Sequence, residues 1–377
     1  MKVGIITQPL HNNYGGLLQN YALQQVLEAM GHSVLTIDEG VKPDSFVWHC
    51  MSAAKTLLLK MVGKGGGRVF PHWLTEKEKN YINHNVDYFT RKYITSSAKI
   101  PSLDDVRSYV TKESFDAFVV GSDQVWRPCY NSSIERPFLA FTKGLSVRRI
   151  SYAASFGVDF WEYTPQQTAV AVELIKSFDA VSVREESAVG LCKEYLQCDA
   201  QLVLDPTMLL DKEKYEALVI AEGEPCSAGN LFTYILDNNA DKQMIIEAVA
   251  KQRNLLSFAI MPQRVDAQSI RNIDNCVYPT VTAWLRAFMD ADYVVCDSFH
   301  GAVFSIIFNK PFIVLANSAR GNARFASLLA LFGLGERMTD STHYEEIIHK
   351  EIDWQAVNRR KEALRAESLM FLQNSLQ

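Results

Sequence analysis

Several things are missing from this chain of 377 residues, and each absence narrows its function. No uninterrupted apolar run reaches the ~20 residues that a membrane-spanning helix needs. The amino terminus runs straight into the strand-like MKVGIIT, without the basic stretch and long apolar core of a signal peptide. There is no excess of positive charge. Lys+Arg number 38 against 43 Asp+Glu, for a net charge of −5, which argues against a general nucleic-acid binder. The seven cysteines (Cys50, Cys129, Cys192, Cys198, Cys226, Cys276 and Cys296) form no CxxC pair, and no histidine accompanies Cys192 and Cys198. A disulfide framework or zinc site is therefore not expected, and the expectation is a reduced, cytoplasmic protein without metal or cofactor. GxGxxG and a P-loop lysine are absent as well, which weakens a nucleotide-binding reading.

What is present is a repeated alternation of short apolar runs with segments of helical period. Val3–Thr7 reads as a strand; Leu18, Ala22, Val26 and Ala29 then share one helical face that Gly31 stops. Further strands are expected at Val34–Ile37, Ala117–Val120, Ile150–Ala154, Ala180–Val183 and Leu202–Leu204. After Asp205-Pro206 the pattern restarts with Leu231–Leu236, Leu256–Ile260, Tyr293–Cys296 and Phe312–Leu315, and with helices over Lys242–Gln252 and Val281–Met289. The fold class is α/β, with two Rossmann-like domains facing each other across a cleft. We expect residues 1–210 to form the first domain, 211–350 the second, and 351–377 a helix crossing back. Residues 41–110 interrupt the first series. Within them, 46–64 combines apolar residues with lysines, which suits either peripheral contact with a membrane or packing on its own domain.

In open α/β sheets ligands sit at the carboxyl ends of strands, so the turns there carry the chemistry. Val3–Thr7 leads into HNNYGGLLQNYAL, whose Gly15 and Gly16 let the backbone approach an anion or a sugar oxygen at a helix N-terminus. Ala117–Val120 leads into GSDQVW. Asp123 suits a base or a hydroxyl ligand, Gln124 a hydroxyl ligand, and Trp126 stacking on a sugar; a capping turn is the plainer reading. Ala180–Val183 leads into REES, where Arg184 serves either as a fork for carboxylate or phosphate, or as a salt-bridge partner of Glu185 or Glu186. Tyr293–Cys296 leads into DSFHGAVF, with Ser298 expected to cap a helix over Gly301–Phe308 and His300 to stand at its mouth.

In order, NYGGLLQNYAL, GSDQVW, SYAASFG, SVREES, LVLDPTMLL and DSFHGAVFSIIFNKPF resemble the motifs of the polysaccharide pyruvyl transferase family, from about residue 3 to residue 335. The resemblance implies a fold like the two-domain GT-B glycosyltransferases. It also implies transfer of the enolpyruvyl carbons of phosphoenolpyruvate onto two hydroxyls of a sugar, in a cell-surface polysaccharide or its glycolipid precursor, to give a cyclic ketal and inorganic phosphate. By the same resemblance Arg184 and His300 contact the donor, with Ser298 and Gly301 beside them. Some family members carry an arginine where this chain has Ser298. Lys310, Arg320 and Arg324 are the nearby candidates to replace it. Asn13, Tyr14, Gly15, Gly16, Ser122, Asp123, Gln124 and Ser155 are expected on the acceptor side, with His300 as proton donor and Asp123, then Asp297, as base. Two alternatives stay open: a nucleotide-sugar glycosyltransferase, and a sugar-binding protein without catalysis.

Overall fold

The computed structural model describes residues 1–40, 46–61, 74–100, 102–131, 133–266, 269–315 and 322–377. A six-stranded sheet is built from β1 (Lys2–Ile6), β2 (Ser33–Thr36), β3 (Ala117–Val120), β4 (Arg148–Ala154), β5 (Ala180–Val183) and β6 (Gln201–Leu202). Their order is β2-β1-β3-β4-β5-β6, all parallel. A second parallel sheet contains β7 (Leu231–Tyr234), β8 (Ser257–Phe258), β9 (Tyr293–Cys296), β10 (Phe312–Leu315) and β11 (Met338–Thr339), in the order β11-β10-β9-β7-β8. Both sheets wind alike: the second strand lies on one side of the first and the third on the other. The chain reverses direction across each sheet beside its first strand, and the crevice opens at the carboxyl ends there.

The central strands are rich in apolar residues because helices cover both faces. Every residue of β3, β7, β9 and β10 is buried. Expected and observed strands coincide at β3, β5, β9 and β10. The expected Leu202–Leu204 shortens to Gln201–Leu202, because the Leu204 N–H leaves the sheet and donates to Ser368 Oγ at 3.0 Å. β11 has only two residues and no sequence signal.

The two sheets share one apolar core. The helix Tyr14–Ala29 sends Tyr14 across to the helix Val281–Asp290, where its ring stacks on Trp284 (6.0 Å) and its hydroxyl donates to Pro279 O at 2.9 Å. The inserted helix Glu76–Tyr93 starts with a capping box between Thr75 and Glu78 and buries Ile82, Val86 and Phe89 at helical spacing. It spans both domains: Phe89 packs edge-on against Tyr21, Asn85 Nδ2 donates to Tyr278 O, and the Tyr278 N–H donates to Ile82 O. The last helix, Trp354–Ser375, begins against the second domain, where Arg360 Nε donates to Leu331 O. It ends on the first sheet, with Phe371 against Tyr152.

Tyr14 thus anchors one domain to the other. Tyr14→Phe should lower the unfolding free energy by about 1 kcal/mol through the lost hydrogen bond. Tyr14→Ala should cost about 3–5 kcal/mol through the cavity it leaves, both measured from urea unfolding midpoints. Equal, negligible effects would show that the contact does not hold the domains together.

Candidate active site between the two sheets

Four consecutive strands of the first sheet end at one place. Asp123 follows β3, Ser155 follows β4, Arg184 and Glu185 follow β5, and Asp205 follows β6. The Arg184 side chain is 1% exposed. Its Nη1 donates to Asp205 Oδ2 at 2.7 Å, its Nη2 to Asp123 Oδ1 at 3.1 Å and its Nε to Glu185 Oε1 at 3.1 Å. Ser155 Oγ donates to Glu185 Oε1 at 2.6 Å, and Asn13 Nδ2 to Asp123 Oδ2 at 3.2 Å. Asp123 itself has φ 68°, in the left-handed region that aspartate tolerates better than most residues.

The second domain closes the remaining side. Phe299 lies with its ring 4.3 Å from Arg184 Cζ and 5.8 Å from Arg324 Cζ, within reach of two guanidinium groups. His300 stands in the first turn of the helix Phe299–Ile307, its Nε2 3.6 Å from Asp205 Oδ2, an ion-pair distance beyond hydrogen-bond reach. That Nε2 is buried and has no hydrogen-bond partner among the described residues. The imidazole lies against Gly15, where a Cβ would fall 2.1 Å from His300 Nδ1. Gly15 is therefore needed for the close approach of the ring, not for flexibility of a turn. A further link joins the domains, from the Glu186 N–H to Ser327 Oγ at 2.9 Å.

The charges hold one another. Burial alone would raise Asp205 and Asp123, but Arg184 and His300 beside both, with Arg324 acting on Asp123, hold each carboxyl below its usual range. Glu185 goes the other way, because burial pushes it up by more than Arg184, Ser155 and Arg324 pull it down. Its Oε2 is also buried without a hydrogen-bond partner among the described residues. Burial, then the neighbouring Arg184, push Arg324 down to about 10.

The geometry sorts the expected site residues. Asn13, Gly15, Ser122, Asp123, Ser155, Arg184, His300 and Arg324 come together. Ser122 is buried, its Oγ donating to Ala153 O at 2.9 Å and its N–H to Gln19 Oε1 at 2.8 Å. Gly16 donates its N–H to the Asn13 side chain, which caps the first helix. Gln124 lies at the rim, its Oε1 accepting from Arg127.

Other positions need correction. Tyr14 is buried against Trp284 and has no surface for a sugar. Trp126, too, is fully buried, stacked on Phe138 with its Nε1 donating to Pro137 O, so it cannot stack on a ligand. The Ser298 side chain makes no capping bond, and the helix starts at Phe299, ahead of the expected Gly301. Gly301 is a packing residue: a Cβ there would lie 2.8 Å from Cys296 Cβ. Lys310 sits at the other end of that helix, roughly 13 Å along its axis, where its Nζ donates to Met289 O. It is on the opposite edge of the sheet from His300. Asp123, with both oxygens engaged and its acidity increased, has the environment of a counter-ion, not of a base. Asp297 is clamped by the Leu236 and Asp237 N–H groups and by Lys242 Nζ at 2.6 Å. Arg320 lies outside the described residues.

Asp205 was missed as a site residue by reasoning from the sequence. An Asp-Pro pair directly after a strand was its only local signal, and nothing there showed which guanidinium it would meet.

Removing the central cation should leave three buried carboxylates unbalanced. Arg184→Ala should cost about 3–5 kcal/mol in urea unfolding, whereas Glu186→Ala, at an exposed side chain, should stay within about 0.5 kcal/mol. The stability contributed by Asp123 and Asp205 is fully present above about pH 4 and is lost as pH falls through their lowered folded values. Glu185 acts in the opposite sense, contributing most below that pH and less as pH rises. Asp205→Asn should therefore be strongly destabilised at neutral pH, with a smaller penalty below about pH 4; a pH-independent penalty would contradict the charge balance.

The chain is similar in fold to the UDP-GlcNAc 2-epimerase of Methanocaldococcus jannaschii, at 10% identity and a TM-score of 0.52, over 97% of this chain and 99% of that one. It is similar also to the UDP-N-acetylglucosamine 2-epimerase of Rickettsia bellii, at 10% identity and a TM-score of 0.51, over 100% and 97% of the two chains. At such identity the likeness concerns the fold alone, two Rossmann-like domains in the GT-B-like arrangement. No curated protein matches the chain. The family model for polysaccharide pyruvyl transferase matches residues 13–319, a span that holds Asn13, Asp123, Arg184, Asp205 and His300. With that match over most of its length, the chain belongs to the polysaccharide pyruvyl transferase family.

Proposed function

We propose that the protein transfers the enolpyruvyl group of phosphoenolpyruvate to two hydroxyls of one sugar residue, forming a pyruvate ketal on a cell-surface polysaccharide or its glycolipid precursor. The observation that carries this reading is the meeting of Arg184 from the first domain with His300 from the second around one buried network. Phosphoenolpyruvate presents a carboxylate and a phosphate, and a chain of net charge −5 has to concentrate cations to hold them. Arg184 and Arg324, both against Phe299, supply two planar forks suited to such groups. Arg324 thereby takes the place of the arginine absent at Ser298. Phe299 of the second domain covers the face of Arg184, so that face opens to the donor when the second domain moves away, while the three carboxylates of the first domain stay on its edge.

In the reaction, C3 of the enol takes a proton, the cation left at C2 is stabilised by its oxygen, and one sugar hydroxyl adds to C2. The second hydroxyl then displaces phosphate and closes the ring. One hydroxyl proton is balanced by the hydrogen gained at C3, and the other leaves with phosphate. His300, in the first turn of its helix with Nε2 unoccupied, is the group that delivers the proton to C3; a positioned acid contributes ~10²–10⁴-fold. Asp205 gives the imidazole a fixed counter-charge, and Gly15 fixes its position. No strong base is required, because the hydroxyl attacks a cation and the departing phosphate accepts a proton.

The test is release of phosphate from phosphoenolpyruvate with a panel of galactosides and N-acetylhexosamine glycolipids, with products weighed for the mass of pyruvate less one water. UDP-sugars serve as the competing donor; turnover with those alone would overturn the proposal. His300→Ala should lower turnover ~10²–10⁴-fold with the fold retained, and an unchanged rate would remove His300 from the chemistry. In Gly15→Ala, a helix gain of ~1 kcal/mol partly offsets the crowding, so stability should shift by less than about 2 kcal/mol. Its turnover should nonetheless fall roughly 10²-fold, because the imidazole is displaced.

A further inference from the structure

The inserted helix Phe46–Met61 plays no part in the network around Arg184 and carries an unusual surface. Ala53 is buried and marks the side turned toward the protein. At about 100° per residue, Cys50, Met51, Ala54, Leu57, Leu58 and Met61 fall within one stripe about 120° wide, whose centre is turned about 100° from Ala53. All six are exposed, Met51 to 68%, Leu58 to 65% and Met61 to 83%. Four large aliphatic side chains in water on one helix face is costly for a surface without a partner.

Charge identifies the partner. The helix contains Lys55 and Lys60 and no carboxylate, and Lys55 is exposed at the edge of the apolar stripe. In sequence, no acidic residue occurs between Asp44 and Glu76, whereas Lys55, Lys60, Lys64 and Arg68 do. This is a local excess of cations in a chain that is otherwise acidic, with a net charge of −5. An apolar stripe with an exposed lysine at its edge, in a stretch of sequence without carboxylates, matches the boundary of an anionic bilayer, where the apolar side chains enter the acyl region and Lys55 meets headgroup phosphates. At 16 residues the helix is shorter than the ~20 needed to cross a bilayer. No helix among the described residues is long and apolar enough to span a membrane.

We infer that the helix Phe46–Met61 lies in the plane of an anionic membrane surface and docks the protein there. This inference stands on the exposed stripe alone and does not depend on the proposed transfer reaction. It is tested with the full-length chain and sedimented vesicles, of phosphatidylcholine alone or of phosphatidylcholine with phosphatidylglycerol. The protein should pellet with the anionic vesicles, less so at high salt, and Leu57→Glu/Leu58→Glu should weaken binding roughly tenfold or more. That variant should keep the unfolding midpoint of the parent, which separates lost docking from lost fold. Equal pelleting of parent and variant would overturn the inference. So would a parent that ignores vesicles but forms a dimer that the variant abolishes, since the stripe would then be a face for a second copy.

Discussion

A guanidinium taken fully out of water must be matched by charge and hydrogen bonds, and the candidate active site is arranged around that need at Arg184. Its three nitrogens reach Asp123, Glu185 and Asp205, each held by the turn after a different strand or by the same turn as the arginine. The turns of β3, β5 and β6 are thereby fixed to one another. The carboxylates in their turn need the cation, which with His300 holds Asp123 and Asp205 ionised below the usual carboxylate range. Only the face of the guanidinium is left, and Phe299 from the second domain covers it.

The same constraint joins the two domains. Asp205 serves Arg184 within the first domain and His300 from the second, and Asp123 and Glu185 add to this electrostatic link through Arg324. Beside it lies a steric link made by two neighbouring residues. Tyr14 reaches into the apolar core of the second domain, while Gly15 leaves the space that the imidazole fills. The glycine pair at the start of the first helix looks like a phosphate-binding turn; what Gly15 accommodates is the other domain's histidine.

Several readings from the sequence fared differently for identifiable reasons. β3, β9 and β10 were legible because a strand buried on both faces reads as an unbroken apolar run. The convergence of GSDQVW, SFG, REES and DSFHG on sheet edges followed from parallel topology, in which every strand ends on the same side. Lys310 was misplaced because sequence proximity to His300 hides a full helix between them. Trp126 was misread because a tryptophan after a strand can turn toward ligand or core, and its contact with Phe138 decided for the core.

The sequence alone determined the alternation of strands and helices, the break after Asp205-Pro206, the turns rich in polar residues and the ordered motifs of the family. These are properties of neighbours along the chain, set by local periodicity and backbone conformation. Tertiary structure alone decided that Asp205 binds Arg184 and His300, that Asp123 is a counter-ion, and that Tyr14 is core. Each of those roles depends on a partner distant in sequence, 21 residues away for Asp205 and Arg184 and 61 for Asp123 and Arg184, and pairwise electrostatics and packing act through space.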